Sequence, residues 1–297
     1  MLPLPASPTD TFKLADWLEL ECLLSKQKSS SAGDLTDALR FASLFHDEIE
    51  IENKVTDVFD ELEQRSLSAG NSYPFELTGN LVTRRHTWKK YRPYVFCLCL
   101  SYFGWSTKKP RQHFPERLFE EISCYAAVNY LHGQDIRFGW PRHSPLTANF
   151  GKALNLLCHD HIKEGAGFRD QDEPQSNGDG CLDIVAWNSF PDNRPGKLLL
   201  FGACAAGKDW EDDKMDELQP ATFCANCMIE IPPSSIIKAF FIPHRVVPSK
   251  WDRYSRRAGV IFDRCRISYW TNAKHDKSYN PDQVDSWVET VFSGLAQ

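Results

Sequence analysis

Apolar residues recur every three or four positions along most of the first 65 residues. This is the spacing of an amphipathic helix, so the pattern predicts a series of helices there. Stretches rich in Ser and Gly at residues 29–34 (SSSAGD) and 66–74 (SLSAGNSYP) end these helices, and the first stretch supplies N-cap residues. The next run, residues 91–105, is apolar and aromatic and is compatible with either a buried helix or a buried strand.

From residue 114 onward, helical and extended patterns alternate. The segment at residues 197–206 (KLLLFGACAA) is typical of a fully buried central strand, because it is almost entirely apolar. This order predicts an α/β (α+β) fold in which helices flank a mixed central sheet. The predicted helices cover residues 115–131, 146–163 and 281–295, and the predicted strands cover residues 135–140, 181–187, 197–206, 236–247 and 259–270.

Length and composition are those of an ordinary folded protein. The chain has 297 residues, of which 42% are apolar and 25% are charged, and these values exclude collagen-like, disordered and coiled-coil classes. No apolar run approaches the roughly 18 residues of a membrane-spanning helix, and the start of the chain lacks the features of a signal peptide. The 10 cysteines are typical of reduced thiols in a chain of this kind. We therefore expect a cytoplasmic protein with no membrane partner.

The net charge of −6 argues against a nucleic-acid partner, but the charges are segregated along the chain. Residues 1–80 contain 15 acidic and 6 basic residues, residues 81–114 contain 8 basic and no acidic ones, and residues 238–270 contain 8 basic and 2 acidic ones. Basic residues interleaved with aromatic ones suit phosphate contact and base stacking, although a solvated face is the alternative. The candidates for contact with DNA are Arg84, Arg85, Lys89, Lys90, Arg92, Arg256 and Arg257.

These patterns divide the chain into three segments. Residues 1–80 form an acidic helical accessory region, which we expect to dock protein partner subunits. Residues 81–113 form a basic aromatic connecting segment. Residues 114–297 form the core, which holds the candidate chemistry.

One carboxylate stands out because it interrupts an apolar extended segment. Asp183 lies between Leu182 and Ile184 in the sequence CLDIVAW, and an unpaired carboxylate would be costly to bury there. It therefore needs a cation or strong hydrogen-bond donors. A metal ion, an ion pair with Arg or Lys, or an exposed edge position would each satisfy it.

The motifs around Asp183 resemble the core of the PD-(D/E)XK nuclease superfamily, the restriction-endonuclease-like fold. The resemblance covers residues 117–208 and rests on Phe119 and Glu120 in a predicted helix, Asp183 after a Gly-rich turn, and the apolar strand in LLLFGACAAGKDW. It implies a restriction-endonuclease-like core and a metal-dependent DNA endonuclease that belongs to a bacterial anti-phage or restriction system. It further implies that Glu120 and Asp183 bind Mg²⁺ or Mn²⁺.

The sequence departs from the family pattern at the end of that strand. Where the family has Glu or Gln, this chain has Ala203, and the position of the family's catalytic Lys is Ala205. Neither side chain can bind a metal or orient a water molecule. Lys208 is the candidate for a displaced catalytic cation. Ala203 is either a natural loss or an engineered substitution, so whether the protein is an enzyme stays open.

Three other interpretations remain. A non-catalytic subunit that keeps the nuclease fold to bind DNA or a protein partner follows directly from Ala203 and Ala205. A thiol enzyme based on Cys158 or Cys204 is poorly supported, because Cys158 and the adjacent His159 point to different faces of a helix. Residues 224–227 (CANC) have metal-ligand spacing, but a zinc site needs about four ligands and no second pair is nearby.

Overall fold

Side-chain caps define where the N-terminal helices begin. In the computed structural model, which describes residues 2–104, 115–169, 180–272 and 279–295, the Asp10 carboxylate accepts two backbone N–H groups at the start of the first helix. Ser31 and Asp34 form a capping box at the second helix, which confirms the N-cap predicted in SSSAGD. The apolar run after residue 91 is a helix rather than a strand. The four helices are α1 (Thr11–Leu24), α2 (Ala32–Ala42), α3 (Glu48–Ala69) and α4 (Arg92–Phe103).

A small antiparallel sheet accompanies these helices. Its strands are β1 (Ser29–Ser31), β2 (Phe75–Thr78) and β3 (Leu81–Arg84), in the order β1-β3-β2. The prediction of an acidic helical accessory region at residues 1–80 does not include this sheet. The physical reason is length, since strands of three or four residues are too short to show the alternation of a strand.

The central sheet has five strands and mixed direction. In the order β10-β9-β7-β6-β4, the strands β10, β9 and β7 run parallel to one another, whereas β6 is antiparallel to both of its neighbours, β7 and β4. A separate two-stranded sheet pairs β5 with β8. The strands are β4 (Gln134–Arg137), β5 (Ala166–Phe168), β6 (Ile184–Asn188), β7 (Leu198–Cys204), β8 (Met228–Glu230), β9 (Ile237–Phe241) and β10 (Val260–Phe262).

Helices flank this sheet, which confirms the predicted α/β (α+β) class. They are α5 (Pro115–Leu131), α6 (Phe150–Leu156), α7 (Met215–Glu217), α8 (Pro220–Cys227), α9 (Trp251–Ala258), α10 (Arg264–Thr271) and α11 (Pro281–Leu295). No helix within the described ranges combines the length and apolarity needed to cross a membrane.

The strand predicted at residues 259–270 is confirmed only at residues 260–262 and is wrong from residue 264 onward. The chain leaves β10 at Phe262 and continues directly into α10. The side chain of Asp263 accepts a hydrogen bond from the backbone N–H of Arg266, and this N-cap begins the helix. A local cap therefore outweighs the strand-like run of apolar residues.

The strands β6 and β7 divide the apolar core between the two faces of the central sheet. Ile184 and Leu200 point to one face, where they join buried residues of α1, α4, α5 and α10. Val185 and Phe201 point to the other face, where they join residues of α6 and α8. Because Trp17 of α1 belongs to the same cluster as Ile184, the N-terminal helices and the sheet share one core. The boundaries at residues 80 and 113 stay predictions.

Two buried guanidinium groups connect the N-terminal helices to α10. Arg65 Nη1 on α3 donates to Asp16 Oδ1 at 2.7 Å and to Glu19 Oε2 at 2.9 Å, and its Nε donates to Glu61 at 2.7 Å. Arg264 at the start of α10 donates to the same Asp16 oxygen at 2.5 Å. Burial alone would raise the pKa of Asp16, but the two guanidinium groups outweigh burial and hold that pKa below its ordinary value.

We predict that Arg65→Met destabilises the fold by roughly 3 to 5 kcal/mol, because it leaves three buried carboxylates with one guanidinium fewer. The measurement is the free energy of unfolding in urea at neutral pH. Lys214→Met is the matched control, since Lys214 and Glu217 form an ion pair whose side chains are 44% and 36% exposed. Equal small losses in the two variants would contradict a stabilising role for the buried cluster.

Candidate functional site

Asp183 occupies the point where β4, β6 and β7 meet. Its backbone N–H donates to the carbonyl of Gly202 in β7 at 3.0 Å. Its carbonyl accepts the N–H groups of Phe138 at 2.7 Å and Gly139 at 3.0 Å, just beyond the end of β4. Asp183 itself immediately precedes β6, so the predicted strand at residues 181–187 begins three residues later than expected. These hydrogen bonds fix the backbone of Asp183 between two neighbouring strands.

The Asp183 carboxylate is oriented by the end of β7. Its Oδ2 atom accepts a hydrogen bond from the backbone N–H of Cys204 at 2.7 Å. The register pairs Ile184 with Gly202, which places Asp183 beside Ala203 and Cys204. A backbone N–H therefore supplies one of the strong donors that a carboxylate in this position requires.

Glu120 reaches the same point from α5. Its Oε2 atom accepts a hydrogen bond from Arg137 Nη1 at 2.5 Å, and the two side chains are only 12% and 10% exposed. Arg137 lies at the end of β4, and its second terminal nitrogen donates to the carbonyl of Pro141. The guanidinium group thus holds the Glu120 carboxylate near the end of the central sheet.

Gly139 shows how closely the two carboxylates converge. A Cβ atom built on Gly139 would lie 2.5 Å from Glu120 Oε2 and 2.9 Å from Asp183 Oδ1. The two oxygens are therefore no farther apart than the sum of these distances. A side chain at this position would occupy the space into which both carboxylates point, so the site requires glycine for close approach rather than for an unusual backbone angle.

The other two predicted catalytic residues are Ala203, which lies beside Asp183, and Lys208, which does not. Ala203 lies in β7 beside Asp183, and its methyl group packs in the apolar cluster that contains Phe201. Lys208 lies in the turn after β7, where it is exposed and forms no hydrogen bond or ion pair with a described residue. The structure thus brings Glu120, Asp183 and position 203 together, and it does not bring the Lys208 ammonium group into contact with them.

The donor set at this point fits a hard cation with two protein ligands. Mg²⁺ prefers oxygen ligands, keeps several water molecules and commonly uses only one or two carboxylates. Glu120 and Asp183 supply such oxygens around the space at Gly139. Across the parts of the chain that the structure describes, no group of three or more His, Cys, Asp and Glu side chains is placed to hold a metal ion.

The basic residues predicted to contact DNA are mostly engaged within the protein. Arg84 donates to the carbonyl of Leu23 at 2.9 Å and lies over the Trp88 ring. Only Lys90 and Arg256 are exposed and form no hydrogen bond or ion pair within the described ranges. The remaining four form ion pairs, Arg85 with Glu76, Lys89 with Glu289, Arg92 with Asp285 and Arg257 with Asp216.

The cysteines near the site are not activated. Burial raises the pKa of Cys204 well above its ordinary value, and the carboxylates of Asp183 and Glu120 raise it further. Burial also raises the pKa of Cys158 to about 11. A nucleophilic Cys requires a lowered pKa, so these thiols lack the property that a thiol enzyme needs. All ten cysteines are free.

Three groups at or near the site carry no motif in the sequence. Arg137 and Gly139 belong to the predicted strand at residues 135–140, where a single Arg and a single Gly give no pattern. Asp135 of the same strand lines a cleft of about 580 Å³ that Arg137 also borders. Burial raises the pKa of Asp135 to about 6, although a hydrogen bond with Cys124 acts in the opposite direction. The places of Arg137, Gly139 and Asp135 near the site follow from the pairing of β4 with β6, which the sequence alone does not reveal.

We predict that Asp135→Asn stabilises the fold above pH 6 and leaves it unchanged below about pH 4. A pKa raised from 3.8 to about 6 means that ionised Asp135 opposes folding, so wild-type stability falls as the pH rises through this window. The expected difference above the window is up to about 3 kcal/mol. Urea unfolding at several pH values measures it, with Asp60→Asn on an exposed part of α3 as the control. A constant difference at all pH values would contradict the assignment.

Comparison of the chain with family models, with curated proteins and with solved structures finds no match. No relative therefore supplies a function or a set of site residues.

Proposed function

We propose that the chain is a metal-dependent DNA endonuclease that hydrolyses phosphodiester bonds, and that alanine at position 203 weakens or disables its site. The observation that carries this proposal is the convergence of Glu120 and Asp183 on the space at Gly139. The setting that the PD-(D/E)XK resemblance implies is the cytoplasm of a bacterium, where the protein would serve as the nuclease component of an anti-phage or restriction system.

The placement of the motifs supports the proposal. The resemblance requires that a Glu from a helix meet an Asp that begins a strand, next to the end of the following apolar strand. Glu120 lies in α5, Asp183 precedes β6, and β7 pairs with β6 along its length. Two segments far apart in sequence therefore each supply one carboxylate at one end of the sheet, and β7 supplies Ala203 beside them.

Each residue of the proposed site has a role that follows from its contacts. Glu120 and Asp183 would hold Mg²⁺ or Mn²⁺, and the bound ion would supply an activated water and neutralise charge on the phosphate. Arg137 orients Glu120, and the N–H of Cys204 orients Asp183. Gly139 keeps the space between the carboxylates open. Lys208 is the candidate cation for the attacking water, and it would have to approach from its exposed turn.

A cleft that shares Arg137 with the candidate site lies near Glu120, and neither Glu120 nor Asp183 lines it. It measures about 580 Å³, and Arg137 belongs to both the cleft and the ion pair with Glu120. Arg117, His143 and His161 also line it. These basic side chains suit contact with backbone phosphates, and Glu121 and Asp135 are acidic residues of the same lining. The other candidates for contact with DNA lie outside this cleft. Lys90 and Arg256 are exposed, and Arg84, Arg85, Lys89, Arg92 and Arg257 would have to exchange their internal contacts for phosphate.

A non-catalytic subunit is the second candidate. Ala203 favours it, because the position beside Asp183 carries a methyl group instead of an oxygen ligand. Such a subunit would keep the fold in order to bind DNA or a protein partner in a defence complex. It would bind DNA in a salt-sensitive manner and would not cleave it with any divalent metal, even when position 203 carries Glu.

We predict that Ala203→Glu creates or increases Mg²⁺-dependent nicking of supercoiled plasmid DNA by about ten-fold or more, because it adds a third carboxylate beside Asp183. Ala203→Gln should act in the same direction, and Ala203→Leu is the size control that supplies no ligand. Adding Asp183→Ala to Ala203→Glu should abolish the activity. Robust nicking that survives Asp183→Ala would show that the site is wrongly assigned, and absence of nicking in every variant would favour the non-catalytic subunit.

We further predict that Gly139→Ala removes most of the Mg²⁺-dependent nicking of the Ala203→Glu protein without unfolding it. The added methyl group would lie within 3 Å of both carboxylates, so it would displace them from the space between them. The measurements are the nicking rate and the melting temperature of the double variant. Gly294→Ala is the control, since a Cβ there meets nothing within 4 Å. Unchanged nicking in the Gly139 variant would argue against a cation in this space.

A further inference from the structure

Three large apolar side chains are exposed at the connection between α2 and α3. Phe41 is 91% exposed, Leu44 is 47% exposed and Ile49 is 67% exposed. Single exposed apolar residues are common, but several within one short segment indicate an interaction surface. We call Phe41, Leu44 and Ile49 the corner patch.

The corner patch is held in place by an ion pair between the two helices. Arg40 Nε donates to both carboxylate oxygens of Glu48 at 3.0 Å, and its Nη2 donates to Oε2 at 2.6 Å. Phe41 directly follows Arg40, and Ile49 directly follows Glu48. The ion pair therefore links the end of α2, which carries Phe41, to the start of α3, which carries Ile49. Ser43 ends α2 in the left-handed conformation, and Asp47 caps α3, which fixes the turn between them.

Exposed carboxylates surround the corner patch. Between residues 34 and 52 there are six acidic residues and one basic residue, and that base is the Arg40 already paired with Glu48. Asp16, Glu19 and Glu61 of the accessory region are instead buried in ion pairs and cannot meet a partner. The segment that carries the corner patch is therefore strongly acidic, and its acids are exposed. The six exposed acids are Asp34, Asp37, Asp47, Glu48, Glu50 and Glu52.

This combination of charge and apolar surface selects one kind of occupant. The phosphates of nucleic acids and of anionic membranes would be repelled by the carboxylates. A symmetric contact with the same patch of a second copy would place like charges opposite each other. A polypeptide that presents apolar side chains on one face and Lys or Arg around them matches both features.

We propose that the corner patch docks a basic amphipathic helix of a partner protein. The apolar face of that helix covers Phe41, Leu44 and Ile49, and its cations meet the surrounding carboxylates. The proposal does not depend on nuclease activity. It narrows the expected docking role of residues 1–80 to one surface and one partner chemistry.

The test uses the full chain and two synthetic peptides of identical Lys and Leu composition. One peptide places Leu at helical spacing on one face, and the other has the same residues in scrambled order. Fluorescence anisotropy should show binding of the amphipathic peptide at least about ten-fold tighter than that of the scrambled one. Phe41→Ser combined with Ile49→Ser should weaken the binding by about ten-fold or more. Leu67→Ser is the control, because Leu67 is 76% exposed on α3 outside the patch.

Three results would overturn the proposal. The first is equal binding of the two peptides, which would indicate a response to charge alone. The second is unchanged affinity in the Phe41 and Ile49 variant, when circular dichroism shows that it is folded. The third is a dimer in light scattering that the same variant converts to a monomer, which would make a second copy of the chain the occupant.

Discussion

The hydrogen bonds of Asp183 determine what the end of the central sheet can do. Its backbone joins β7 to the residues just after β4, and its carboxylate accepts the N–H of Cys204. Because this N–H replaces a hydrogen bond from water, the carboxylate can lie beside a buried strand. The hydrogen bond from the Gly139 N–H also places Gly139 against Glu120. The Glu120 and Asp183 carboxylates therefore lie on the same side of Gly139, close to each other. The candidate site is therefore a consequence of how three strands are joined.

The accessory region is tied to this core by buried charge as well as by apolar contact. Arg65 and Arg264 share Asp16, so α1, α3 and α10 meet around ionised groups that water does not reach. Such clusters stabilise a fold only when every charge keeps its partners. The acids of residues 1–80 also differ in burial, since Asp16, Glu19 and Glu61 are buried and those near the corner patch are exposed. Buried acids support the fold, and exposed acids near the corner patch remain available to a partner.

The sequence predicts the elements with strong local signals. The helix predicted at residues 115–131 has the bounds of α5, and Ser31 acts as the predicted N-cap. Glu120 and Asp183 were identifiable because each belongs to a motif. Arg137 and Gly139 were not identifiable, since their importance depends on strand pairing between segments separated by about fifty residues. The helix α10 was missed because one capping Asp outweighed an apolar run, and the small sheet was missed because its strands are very short.

The candidate site depends most on the proposal that Glu120 and Asp183 of this chain hold one divalent cation. The most direct measurement is Mn²⁺ binding to the purified chain by electron paramagnetic resonance. The account predicts that wild type binds a single Mn²⁺, that Glu120→Gln and Asp183→Asn each lose most of this binding, and that Asp60→Asn retains it. Binding that is unaffected by both site variants, or no binding by the wild type, would contradict the account.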